Sequence, residues 1–310
     1  MSKNNRAIGI DIGGTKTAVG AVDGAGVLVA RATFATEAGR GFSHFVERTV
    51  AAIHQVLSEA GWSHTDICGI GIGCPGPVDP TRGLINNPYT LEGWDRCDIV
   101  TPLRETFVVP VCLENDADSA VTGEAFVGAA KGCERVVLLT LGTGIGSGVL
   151  VDGRIYRGAN DEHPELGHLP VLSDGPACYC GQKGCFEALA SGTAIATAGK
   201  AVGLGDCPRV FAAAAQGNPA AQQIIQRATS AASAAAWAIL CTFLPQRMIL
   251  GGGIIDDHFE LFAAPFRAAI AAASMVPRES IKVVHAQLGN DAGMVGAACL
   301  AFGHENRQDC

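Results

Sequence analysis

A strand, a glycine turn and a returning strand occur twice in this chain, and that duplication narrows the possible architectures more than any other feature. The first copy, Ile8 to Ala21, runs an apolar strand into Asp11, turns through Gly13 and Gly14 with Thr15 and Lys16 following, and returns toward Asp23-Gly24. A shift of 129 positions lays Asp11 on Thr140, Gly13 on Gly142, Gly14 on Thr143, Gly20 on Val149 and Asp23-Gly24 on Asp152-Gly153. Two related halves, each giving one loop to a shared site, are the implied design. Glycines at such tips let backbone N–H groups come close to an anion, and Thr15 and Lys16 add donors there.

A length of 310 residues suits the two domains that the repeat proposes, and 48% hydrophobic against 17% charged residues leaves ample material for their cores. The net charge of −8 argues against a nucleic-acid surface, because no excess of Lys or Arg offsets phosphate repulsion. The opening residues run straight into a strand with no apolar signal segment. The longest apolar region, Ala220 to Leu244, contains Gln222, Gln223, Gln226 and Arg227 and is expected as a buried Ala-rich helix, not a membrane span. A cytoplasmic protein with no membrane partner is expected. Most of the twelve cysteines stand singly in apolar stretches, where a reduced thiol behaves as a small hydrophobe.

Along the chain, Val46, Val50, Ile53 and Leu57 have helical spacing over 45–57. Gly71-Ile-Gly-Cys-Pro-Gly76 fits the dinucleotide pattern G-x-G-x-x-G, but that pattern needs a helix to begin inside it, and Pro75 and Pro77 favour a loop. A strand over 108–112 leads to Glu114-Asn-Asp-Ala-Asp118, and a helix is expected over 119–127. Asn115 and Asp116 thus stand where a strand gives way to a helix, the usual place for ligands in open α/β sheets. Asp116 there suits a general base; either Asp116 or Asp118 could instead cap the helix. His168 shortly precedes Cys178-Tyr-Cys180-Gly-Gln-Lys-Gly-Cys185, four ligands that suit a closed, structural zinc, with Gly181 and Gly184 allowing the tight fold. Ala-rich helix follows to Phe243, then a strand over 247–250, the close-approach loop Gly251-Gly252-Gly253, a helix over 256–273, a strand over 281–285 and a final small-residue helix from Asn290 that must pack tightly.

The order Asp11-Ile-Gly-Gly-Thr-Lys16, Cys74-Pro-Gly-Pro77, Glu114-Asn-Asp-Ala117, Leu141-Gly-Thr-Gly-Ile-Gly146, Glu165-Leu-Gly-His168, the cysteine loop ending at Glu187, and Gly251–Gly253 resembles the ROK family of bacterial sugar kinases and repressors, within the actin, Hsp70 and hexokinase fold group. The resemblance spans residue 7 to about 302. It implies two ribonuclease-H-like α/β domains, each with a mixed five-stranded sheet, and an interdomain cleft that closes on MgATP and a hexose. Residues 1–118 with about 292–310 would form the smaller domain, and 119–291 the larger one with the zinc loop. Asp116 resembles the base that deprotonates the sugar hydroxyl. Gly76, Asn115, Glu165, His168 and Glu187 resemble sugar partners, with His168 also a zinc ligand. Gly13, Gly14, Thr15 and Lys16, with Gly142, Thr143 and Gly144, resemble phosphate loops. Gly251, Gly252 and Gly253 resemble the adenosine loop, and Asp11 the carboxylate that positions hydrated Mg2+.

Three positions depart from the common family pattern. Asp118 stands where many relatives have Asn. His163-Pro164 precedes the Glu-x-Gly-His motif, as in fructokinase-like members, whereas the intact cysteine pattern points to glucokinase. Thr90 replaces the usual sugar-loop asparagine, with Asn87 nearby, so either could reach the sugar. Glucose is the expected acceptor, fructose and N-acetylhexosamines the alternatives, and a homodimer or homotetramer the expected assembly. A sugar-responsive regulator would need a DNA-binding segment ahead of the first hairpin, and an oxidoreductase would need the 71–76 pattern to open a helix.

Overall fold

A computed structural model of the protein describes residues 5–88 and 90–303, so the outer ends of the expected smaller domain, 1–4 and 304–310, lie outside the described residues. The strands in chain order are β1 (Arg6–Ile12), β2 (Lys16–Asp23), β3 (Leu28–Ala35), β4 (Gly69–Cys74), β5 (Val78–Asp79), β6 (Leu84–Ile85), β7 (Cys97–Asp98), β8 (Val111–Asn115), β9 (Val136–Leu141), β10 (Ile145–Val151), β11 (Arg154–Ile155), β12 (Arg247–Gly251) and β13 (Lys282–His285). The α-helices are α1 (Phe42–Ala60), α2 (Val100–Phe107), α3 (Asp116–Phe126), α4 (Phe186–Ala190), α5 (Gly192–Ala201), α6 (Cys207–Ala215), α7 (Pro219–Phe243), α8 (Gly253–Ala272) and α9 (Ala292–Phe302). They fall into two compact units. One holds the chain as far as Gly132, Arg157–His163 and the chain from Gln287 onward; the other holds Cys133–Tyr156 and Pro164–Ala286.

Each unit is built on a five-stranded mixed sheet, and the two sheets share one topology. The first has the order β3-β2-β1-β4-β8 and the second β11-β10-β9-β12-β13. In the first, Asp11 pairs with Ala18 across an antiparallel hairpin and with Gly73 across a parallel neighbour. In the second, Thr140 pairs with Gly146 and with Gly251 in the same two senses. Thr140 therefore occupies the place of Asp11, as the shift of 129 requires, in a hairpin whose turn is one residue tighter.

In the first unit β1 and β4 are buried on both faces, which is why they read as continuous apolar runs instead of alternating ones. Helix α1 buries Phe45, Thr49, Ala52, Ile53, Val56 and Leu57 at helical spacing and ends at Gly61, whose left-handed backbone (φ 67°) closes it. Helix α9 packs on β1, β4 and α3. Its approach is backbone to backbone: a Cβ at Gly9 or Gly71 would collide with the carbonyls of Met294 or Ala297. The G-x-G of the dinucleotide-like pattern is thus a packing device, and the chain leaves β4 into a loop and β5, with no helix opening inside 71–76.

Several boundaries differ from those expected of the sequence, most of them by one to three residues. Helix α2 precedes the expected strand and ends at Val108 in a left-handed conformation (φ 56°), so β8 starts at Val111 and runs on to Asn115. Helix α3 begins at Asp116, three residues early, because Asn115 caps it. The first unit extends past 118 because α3 packs on α9, and it regains Arg157–His163.

In the second unit the Ala-rich α7 buries Ala228, Ala231, Ala232, Ala235 and Ala236 among α4, α5, α6 and α8. Small side chains on that face let four helices meet one, at close interaxial distance. Among the described residues no helix is long and apolar enough to cross a membrane.

Candidate functional site

A group of acidic residues marks the first unit. Asp116 is the first residue of α3, at the carboxyl end of β8, and is half-buried. The Asn115 side chain accepts the N–H groups of Ala117 at 2.8 Å and Asp118 at 3.3 Å, so Asn115, not Asp116 or Asp118, caps the helix. Asp116 Oδ1 accepts the Ala117 N–H at 2.8 Å, and negative charge is favourable at a helix N-terminus. Asn115 Nδ2 faces Gly76, from which a Cβ would stand 3.2 Å away.

Asp11, at the end of β1, has its pKa raised to about 6, first by burial and then by the negative charge of Asp116; Arg31 and Lys16 oppose the rise. The turn beyond it is closed by the Gly13 N–H donating to Lys16 O at 2.9 Å. Thr36 locks that turn from β3's end: its hydroxyl donates to Gly13 O at 2.6 Å and its N–H to Thr15 O at 3.0 Å. Thr15 and Lys16 remain exposed.

The loop over 86–94 is anchored by Trp94, fully buried against Phe45 at 4.5 Å and Phe42 at 5.2 Å between ring centroids. Asn87 is buried inside this loop, donating to Pro75 O at 3.1 Å and accepting the Thr90 N–H at 2.8 Å. Thr90 is exposed, and its methyl lies against Gly14. The two candidates left open by the sequence thus differ: Asn87 braces the loop and Thr90 is presented by it.

In the second unit the turn Gly142–Gly144 closes through the Gly142 N–H to Gly144 O at 2.9 Å. Gly142 O also accepts the N–H of Gly192 at 2.8 Å. Glu187, in the first turn of α4, accepts the Ile145 N–H through Oε2 at 2.6 Å. A Cβ at Gly144 would stand only 2.7 Å from that oxygen, so the turn and the carboxylate fit each other only with glycine there. Tyr179 is exposed, but its hydroxyl is held above its usual pKa by partial desolvation, then by the nearby Glu187 carboxylate, with the charge of Glu165 adding to the rise. A cavity of about 1190 Å³ opens beside the turn, lined by Thr143, Gly144, Glu187, Thr193 and, from α7, Gln223 and Arg227.

The segment 165–168 is pinned to β10 by Ser147, buried, whose hydroxyl donates to Pro164 O at 2.7 Å and accepts the Leu166 N–H at 3.0 Å. Gly167 lies so close to the carbonyl of Ile145 that a side chain would collide with it. Glu165 is exposed at the start of this turn, and His168 ends it half-buried. Gly251 closes β12, Gly252 caps α8 with φ 92° against the backbone of Leu141, and Gly253 opens that helix.

His168, Cys178, Cys180 and Cys185 converge, with one donor atom of each within 4.8 Å of the others. His168 Nδ1 stands 3.4 Å from Cys178 Sγ, and Cys180 Sγ stands 3.6 Å from Cys185 Sγ. A tetrahedral ion with Zn–S bonds of about 2.3 Å needs donors about 3.8 Å apart, so the donor set and spacing fit zinc without an open position. The loop is preformed by the Cys178 N–H to Gln182 O and Gly184 N–H to Pro176 O bonds, both 2.8 Å, with Gly181 and Gly184 at φ 92° and 67°.

The structure adds Thr36, Ser147, Tyr179 and Arg157 to the residues that shape these sites. Only Tyr179 had a signal in the sequence, its place between two cysteines.

The model of the ROK family matches residues 7–304. A glucokinase of Thermotoga maritima is 33% identical over 95% of this chain and 96% of its own. Among solved structures, a ROK hexokinase from Thermus thermophilus superposes with a TM-score of 0.87 at 32% identity, covering 97% of this chain and 99% of that one. A ROK family glucokinase from Streptomyces griseus, in complex with glucose and AMPPNP, gives 0.75 at 32% identity, covering 96% and 99%.

Proposed function

The chain belongs to the ROK family, and from that premise we propose that it is an ATP-dependent kinase that phosphorylates a hexose hydroxyl, with glucose as acceptor and glucose 6-phosphate as product. The observation that carries the reading is the half-buried Asp116 carboxylate at the β8–α3 junction, oriented by the Asn115 cap. Phosphoryl transfer needs its charge neutralised, its donor held in line and one base within reach of the attacking hydroxyl. Asp116 takes the hydroxyl proton as the oxygen attacks the γ-phosphorus, and ADP leaves with the bridging oxygen.

The other roles follow the chemistry of each position. Asn115 Nδ2, left over from capping, donates to a sugar oxygen near Gly76. Thr90, Glu165 and His168 contact further hydroxyls, with Asn87 holding Thr90 in place. The backbone amides of 13–16 and 142–144 cradle the phosphates, and Lys16 adds charge. Glu187 acts on the sugar side and also fastens the 142–144 turn. Gly251–Gly253 admit the adenosine. Asp11 would orient hydrated Mg2+, which supplies charge neutralisation to the polyphosphate when bound. His168 Nδ1 with Cys178, Cys180 and Cys185 would hold a structural zinc, which would fix the His168 ring and leave its other nitrogen for the sugar.

A coupled ADP-release assay over glucose, mannose, fructose, N-acetylmannosamine and N-acetylglucosamine tests this. Glucose should give the highest kcat/KM. Preference for an N-acetylated sugar would move the assignment within the family, and no ADP release with any hexose would reject it.

A further inference from the structure

We propose that Arg157 is a positioning residue for the reaction: its guanidinium grips the residues two before and two after Asp116 and so fixes the junction that presents the base. The inference rests on the reading of Asp116 as base and adds a residue to it that lies 41 positions further along the chain.

Arg157 Nη1 donates to Asp118 Oδ2 at 2.6 Å, and Nη2 forms an ion pair with Glu114 Oε2 that lacks hydrogen-bond geometry. Glu114 is the penultimate residue of β8, and Asp118 lies in the first turn of α3. One planar, two-armed cation therefore ties the end of the strand to the start of the helix across the turn that holds Asp116. The tie is buried, with Asp118 fully enclosed and the Glu114 and Arg157 side chains 8% and 20% exposed. Glu114 is engaged at both oxygens, since Oε1 accepts the Asn115 N–H at 2.8 Å. Asp118 Oδ1, by contrast, has no hydrogen-bond partner among the described residues, so that carboxylate is held at Oδ2, by the Arg157 hydrogen bond and more loosely by His163 Nδ1 at 3.9 Å.

A buried ion pair made only for stability could have been replaced by apolar side chains at little cost. This one ties together the two carboxylates that flank Asp116 in sequence, which without the cation would repel each other across the junction. A fork with fixed geometry is what distinguishes arginine from lysine at such a point. The segment that carries Arg157 also brings His163 beside Gly76, where a Cβ would stand 3.7 Å from His163 Nε2, and then continues into Pro164 and Glu165. The clamp thus anchors the stretch of chain leading into the sugar-side motif.

The test uses the full chain and four proteins: wild type, Arg157→Met, Arg157→Lys and Asp116→Asn. Glucose KM and kcat are measured by ADP release, and glucose Kd by calorimetry without nucleotide. A base displaced by about 1 Å loses about a hundredfold in rate, so Arg157→Met should lower kcat between about tenfold and a hundredfold while KM and Kd for glucose stay within about threefold. Arg157→Lys, with charge but no fork, should recover part of that loss. A purely structural role would lower the melting temperature and leave kcat per folded molecule unchanged, which overturns the inference; so would a loss confined to KM. Should Arg157→Met not fold, Arg157→Lys is judged on the same split between kcat and KM. Full turnover in Asp116→Asn would instead reject the base itself, and the two failures are told apart by which variant stays active.

Discussion

The two glycine hairpins share strand order, pairing sense and buried neighbours, yet they carry different chemistry. At the end of β1 stands Asp11, and at the matching place in β9 stands Thr140. The first unit sets Asp116 beside Asp11 and ties Glu114 and Asp118 to Arg157, while the second holds its turn with backbone amides and the Glu187 carboxylate and carries a cluster of one histidine and three cysteines. The difference teaches that a duplicated apolar pattern sets a sheet's topology, and that residues at strand ends, which do not disturb that pattern, are free to diverge, into a carboxylate in one hairpin and a threonine in the other. Locking differs too: a threonine from the end of β3 holds the first turn, whereas α4 and α5 hold the second.

The sharpest way to break this division is to remove the base. Asp116→Asn should lower kcat by about 10² to 10⁴, the usual worth of general-base assistance, with glucose KM little changed. Steady-state ADP release checks it, and near-normal turnover would put the chemistry elsewhere.

Metal removal probes the second unit alone. Chelation or Cys180→Ser should expose amides over 165–187 to hydrogen exchange while the hairpin over 8–23 keeps its protection, because the cluster's donors all lie between His168 and Cys185. Equal loosening of both regions would show that the cluster supports more than its own loop.

Asp11→Asn makes the first tip electrostatically like the second. With a folded pKa of about 6 against an ordinary 3.8, wild-type Asp11 binds its proton more readily when folded. Stability is therefore lost as pH rises from about 4 to 6, and the penalty above that range is about 3 kcal/mol. The Asn variant should melt higher than wild type at pH 7, with the gap closing toward pH 4, and should still lose activity through the Mg2+ site. A variant no more stable at pH 7 would show that Arg31 and Lys16 offset the burial.

The smallest effect concerns the second cradle. Gly144→Ala places a Cβ against Glu187, which must shift, and should raise KM for ATP by about tenfold, with a smaller rise in KM for glucose because Glu187 also serves the sugar side. An unchanged KM would mean that the turn does not hold the donor.

Features written in neighbouring residues are legible in the sequence by itself. The repeat, the turn glycines, the cysteine spacing, the strand-to-helix step at Asn115-Asp116 and the small-residue final helix depend on short separations or on a side chain's size, and they stand as expected apart from boundary shifts of a few residues. Helix α2 leaves little trace there because its eight residues include a proline and bury only Leu103 and Phe107. What tertiary structure alone decided are the meetings between distant residues: Thr36 with Gly13 across 23 positions, Arg157 with Asp118 across 39, Ile145 with Glu187 across 42. The same holds for Asn87, whose polar ends turn inward while Thr90 faces out. No local pattern encodes these contacts, because a hydrogen bond between remote groups exists only once the chain has returned and burial has removed the water that would otherwise satisfy them.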